Sequence, residues 1–112
     1  MEISMSSEGE VSVIHLNGRL DMFSSHHLDD YLKPFLVEGK KLVFDCSNLA
    51  FICSAGLRVM ISALHYLPEH HGAVAFSSMT PPVLELFKLC GIEPRCIIEP
   101  TIAAAVKRLD PD

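Results

Sequence analysis

Apolar positions along the chain alternate between two periods, and one junction between them organises the rest. Leu42, Val43 and Phe44 form a buried-strand run that meets a polar cluster, Asp45 to Asn48, and a short apolar return follows at Leu49 to Ile52. The period then changes to that of a helix, with Leu57, Met60, Ile61, Leu64 and Leu67 on one stripe. Ser54 stands where this helix needs an N-cap, so the spacing predicts a serine hydroxyl at a helix start, on a short turn after a buried strand.

The remaining segments repeat this alternation. Residues 1–8 are compatible with a short edge strand, and Val11 to Leu16 alternates as a second strand ending at Asn17-Gly18. Phe23 to Val37 reads as a helix capped by Ser24 or Ser25, loosened at Pro34 and closed by Gly39. Pro68 is expected to stop the Ser54 helix, and Gly72 to Ser77 to form a short strand. Thr80 before Pro81-Pro82 marks a third helix ending at Gly91, Arg95 to Ile98 a last strand, and Pro100-Thr101 a helix running to Leu109. The order β-β-α-β-α-β-α-β-α argues for a mainly parallel sheet with helical cover, and the 112 residues suffice for one core.

Charge and chemistry narrow the function. A net charge of −5 with only two basic pairs, Lys40-Lys41 and Lys107-Arg108, argues against nucleic acid. No apolar run approaches the roughly 20 residues of a membrane span, and Met1-Glu2 begins no signal peptide, so a cytoplasmic protein without membrane insertion is expected. Cys46, Cys53, Cys90 and Cys96 lack CxxC spacing and are expected to be reduced and buried; a redox pair of Cys46 and Cys53 is the alternative. The six histidines are expected at the surface and not converging on a metal. Cys53-Ser54-Ala55-Gly56 lacks the first glycine of a nucleophile elbow, which argues against acyl transfer at Ser54, and no glycine-rich phosphate loop or other cofactor motif is present. What Ser54 does offer is a place where a phosphoryl group would sit at the positive end of a helix, tolerated by the fold and disruptive to a partner.

Taken together, the Leu16-Asn17-Gly18-Arg19-Leu20-Asp21 segment, the Asp45 to Ile52 run, the Ser54-Ala55-Gly56-Leu57 helix start and the Pro81 to Phe87 helix resemble the STAS domain over roughly residues 3 to 109. The chain is most similar to stand-alone bacterial anti-sigma factor antagonists. The resemblance implies one α/β domain over residues 1–112, with a mixed, mostly parallel sheet of five strands under four helices. It also implies binding, without catalysis or cofactor, to an anti-sigma factor that is a serine kinase of the histidine-kinase-like ATPase type. The kinase would phosphorylate Ser54 and a serine phosphatase would reverse this. Asp21 would flank Ser54 and Asp45 would organise the turn, with Cys53, Ser54, Ala55, Gly56, Leu57 and Arg58 meeting the partner as part of a monomer or weak dimer. Cys53 and Ala55 depart from the family's usual acid and second hydroxyl, so a constitutive subunit or scaffold of a transporter or stress-signalling complex is the alternative implied.

Overall fold

The computed structural model describes residues 1–111. Strand β1 (Glu2–Glu8) pairs antiparallel with β2 (Val11–Leu20), and β2, β3 (Lys41–Ile52), β4 (Ala73–Ser77) and β5 (Ile97–Glu99) run parallel, in the order β1-β2-β3-β4-β5. Helices α1 (Met22–Leu32), α2 (Ser54–Glu69) and α3 (Pro81–Leu89) cover one face, and α4 (Ile102–Leu109) covers the other.

The two-sided cover explains the continuous apolar runs. Leu42 to Cys46 are all buried because alternate residues meet opposite layers. Ile14, Leu16, Leu42, Phe44 and Phe76 pack against Leu28, Leu57, Met60, Leu67 and Phe87 of the first three helices. Val11, Val13, Val43 and Ala75 turn the other way, onto Ala105 and Leu109 of α4. A stack of Phe44 on Phe76, centroids 5.4 Å apart, with Phe87 edge-on to Phe76 at 5.2 Å, fills the centre of the larger layer.

Several expected boundaries move. β2 does not end at Asn17-Gly18, and β3 does not yield to a turn at Asp45–Asn48; both strands continue, to Leu20 and Ile52. They stay paired because β3 carries extra residues in two places, where His15↔Asp45 is followed by Asn17↔Asn48 and Gly18↔Leu49 by Arg19↔Phe51. Of the polar cluster only Ser47 falls in a bulge, while Asp45 and Asn48 pair with His15 and Asn17 in a continuous ladder. α1 stops at Leu32 and a 3-10 turn, Lys33–Phe35, takes Pro34, which has no N–H to continue the helix. Pro68 does not stop α2 but sits in its last turn, where the missing N–H removes only one bond near an exposed end. Gly91, at φ +72°, takes the left-handed conformation expected after α3.

Candidate functional site

Ser54 lies where two helices begin side by side. The β2–α1 and β3–α2 connections emerge at the same end of the sheet, and the Cys53 N–H donates to the Leu20 carbonyl at 2.9 Å. Gly56 explains how closely they pack: a Cβ there would lie 2.5 Å from Leu20 Cγ. Ser54 itself is exposed, but it is the first residue of α2 and not its cap. Cys53 holds the N-cap position in extended conformation (φ −92°, ψ 172°), with no side-chain capping bond. The Leu20 contact sets the backbone here, and it places the cap one residue before the hydroxyl.

Asp21, not Ser24 or Ser25, caps α1. Its carboxylate accepts from the Ser24 N–H at 2.9 Å, and the Asp21 N–H donates to Ser24 Oγ at 2.8 Å, a reciprocal capping box. The bonds from the Ser24 backbone and hydroxyl hold the Asp21 carboxyl below the ordinary value. A charged carboxylate and an exposed serine are thus set at two neighbouring helix starts. Met22 (67% exposed), Phe23 (86%) and Phe51 (39%) are displayed by the same two connections, and the Arg19 guanidinium lies 4.3 Å from the Phe51 ring centroid. The sequence reading missed these apolar residues; the signal was two large side chains at the exposed start of a helix. Between the helices, Ser25, His26 and Asp29 of α1 and Ala55, Arg58, Val59 and Ser62 of α2 line a groove of about 250 Å³.

Not every expected contact residue reaches this surface. Asp21, Cys53 and Ala55 are half-buried and Arg58 is exposed, whereas Gly56 and Leu57 are buried, Leu57 in the core among the helices. The helical phase that exposes Ser54 and Arg58 turns the two residues between Ala55 and Arg58 inward. Asp45 is not a turn residue. It lies within β3, its side chain about 10% exposed, accepting from the Ser47 N–H at 3.0 Å and facing His15 Nδ1 at 2.7 Å. Burial pushes its carboxyl up, but the His15 and Ser47 bonds prevail and hold it below the ordinary value.

The cysteines are free, and their burial is uneven. Cys46 is buried and its thiol is pushed up to about 12 by desolvation, helped by the neighbouring Asp45 charge. Cys53 and Cys96 are half-buried and Cys90 is exposed, contrary to the expectation that all four are buried. Cys90 lies at the end of α3, beyond the last buried turn. Among the described residues no group of three or more His, Cys, Asp or Glu is placed to hold a metal ion, and no helix is long and apolar enough to cross a membrane.

Comparison with known proteins gives this geometry a family. An anti-sigma F factor antagonist from Paenibacillus polymyxa is 26% identical over 98 residues, covering 82% of this chain and 80% of that one. Among solved structures, the anti-sigma factor antagonist SpoIIAA in its unphosphorylated form superimposes with a TM-score of 0.83 at 18% identity, covering 99% of this chain and 98% of that one. The phosphorylated form of the Bacillus cell fate determinant SpoIIAA gives 0.75 at 19% identity, over 96% and 98% of the two chains. These structures share the five-stranded mixed sheet and its four helices. A STAS domain model matches residues 2–105, and the chain belongs to the STAS domain family.

Proposed function

We propose that this chain is a cytoplasmic anti-sigma factor antagonist, a single binding domain whose partner is a serine kinase of the histidine-kinase-like ATPase type and whose binding is ended by phosphorylation of Ser54. The observation that carries the reading is the exposed Ser54 at the first position of α2, on a connection bonded to the one that carries Asp21. A phosphoryl group there adds up to about two negative charges at the positive end of a 16-residue helix, which the fold tolerates. The partner meets the same charges on a surface already bearing Asp21, where repulsion and desolvation oppose docking. Exposed Met22, Phe23 and Phe51 supply apolar contact area beside the switch, and Arg58 and the groove between α1 and α2 extend it. That relatives of this fold bear the name anti-sigma factor antagonist, and that one has been solved phosphorylated and unphosphorylated, supports the reading.

Cys53 and Ala55 bear on recognition by the kinase, not on the acceptor. With Ala55 in place, Ser54 is the one hydroxyl between Cys53 and Arg58. A serine phosphatase completes the cycle. Intact mass spectrometry after incubation with ATP and the cognate kinase tests the reading. One added phosphoryl group, absent from Ser54→Ala, is expected. A stable complex that forms without any mass gain would instead make the domain a constitutive subunit.

A further inference from the structure

The face of the sheet that carries α4 holds a second set of polar residues, on the side opposite the Ser54 helix. Cross-strand pairing lines up Ser4, His15, Asp45, Ser77 and Glu99, one from each strand, beyond the apolar residues under α4. Within it, His15 makes two bonds. Its Nδ1 lies 2.7 Å from Asp45 Oδ2, and its Nε2 lies 2.8 Å from the Oγ of Ser6, the exposed residue two positions along β1 from Ser4. A carboxylate accepts, so His15 Nδ1 is the donor to Asp45 and holds the proton of the singly protonated ring. Nε2 is left as the acceptor for the Ser6 hydroxyl. Asp45 in turn is fixed by the Ser47 N–H. A hydroxyl, an imidazole in the required tautomer and a buried carboxylate that orients it are joined in one chain of hydrogen bonds.

A groove of about 610 Å³ lies between β1 and α4, further along the same edge of the sheet. Ile102, Ala103, Val106 and Pro111 give it an apolar wall, with Lys107, Asp110 and Glu8 at its rim; Glu8 lies on the same face of β1 as Ser6 and about 7 Å further along the strand. Ser6 is paired with Val13, and Val13 packs in the cluster against which Ile102 and Val106 lie. The volume is that of a small-molecule site.

We propose that Ser6, His15 and Asp45 form a nucleophilic site that cleaves acyl esters whose apolar chain occupies the groove between β1 and α4. Ser6 Oγ adds to the ester carbonyl as its proton passes to His15 Nε2. The bond to the leaving oxygen then breaks and that oxygen takes the proton, leaving the acyl group on Ser6. Water, deprotonated by the same nitrogen, adds to the acyl carbon, and Ser6 leaves with the proton as the free carboxylic acid departs. β1 is an edge strand, so the exposed Ser6 is open to a substrate from outside the sheet. The site uses none of the surface around Ser54.

The test uses the whole chain with p-nitrophenyl acetate, p-nitrophenyl octanoate and an alkyl fluorophosphonate, from which a serine displaces fluoride. Expected are phenolate release with the octanoate preferred, and a phosphonyl adduct located on Ser6 by peptide mass spectrometry. Ser6→Ala, a change on an exposed edge strand that leaves folding intact, should abolish the adduct and slow hydrolysis by about 100-fold. His15→Gln should slow both reactions, and Ser4→Ala should leave them as they are. Wild-type hydrolysis by Ser6→Ala, or an adduct shared equally between Ser4 and Ser6, would overturn the proposal and reduce the hydrogen-bond chain to a clamp between strands.

Discussion

Replacing Gly56 by alanine tests how the two connections that carry Asp21 and Ser54 are held together. In an open helix the change would stabilise by about 1 kcal/mol, since alanine restricts the unfolded chain and favours the helix. Here the new Cβ would lie 2.5 Å from Leu20 Cγ, 2.6 Å from Leu20 Cδ2 and 3.4 Å from the Leu20 carbonyl. Leu20 is fully buried, and the contact is with its branching carbon, so rotating the tip of the side chain does not relieve it. Overpacking of this kind costs about 1–3 kcal/mol, and at the upper end the net loss is about 2 kcal/mol. For a chain of this size that lowers the thermal midpoint by about 8 °C. Leu20→Ala alone should cost about 2–5 kcal/mol. In that background the clash is gone and Gly56→Ala should turn neutral or stabilising, a coupling of up to about 3 kcal/mol. Urea unfolding of the four proteins, with slopes that stay equal, measures it. A coupling below about 0.5 kcal/mol would refute the packing argument.

Three further outcomes follow from the site geometry. Asp45→Asn should cost about 1–3 kcal/mol at neutral pH by weakening a buried charged hydrogen bond. Because the folded carboxyl titrates below the unfolded one, its contribution is present above the ordinary carboxylate value of 3.8 and is lost as pH falls through the lower folded value. Wild type should therefore lose stability on acidification below about pH 5 more steeply than Asp45→Asn, as read by denaturant titrations across pH. At Asp21, asparagine preserves the cap and removes the charge, whereas alanine removes both. Asp21→Ala should lower the thermal midpoint by several degrees and Asp21→Asn by much less, while both change partner affinity, as read by calorimetry. In thiol titration with a disulfide reagent Cys90 should react first, and Cys46 only when the protein unfolds.

Strand and helix alternation was legible because each layer imposes its own period: residues of β3 alternate between two apolar layers, and α2 repeats its stripe of Leu57, Met60, Leu64 and Leu67. The ends were less legible. Asn17-Gly18 and Asp45 to Asn48 have turn composition, but two bulges in β3 let both strands continue, and only the pairing partner shows it. Ser54 was legible at the helix start, but the cap expected of it falls on Cys53, because a leucine 34 residues earlier fixes the backbone around Gly56. The same phase buries Leu57, whose place on the apolar stripe of α2 already marks it as core and not as a contact residue. The chain of Ser6, His15 and Asp45 spans separations of nine and 30 residues and exists only because β1 folds back antiparallel while β3 runs parallel.

The most direct test of the switch is the affinity of the cognate kinase for the chain before and after enzymatic phosphorylation, with Ser54→Ala carried through the same treatment. The account predicts a complex with the untreated protein, at least about tenfold weaker binding once one phosphoryl group is attached, equivalent to about 1.4 kcal/mol, and undiminished binding by treated Ser54→Ala. Equal affinity of the phosphorylated and unphosphorylated forms would contradict it.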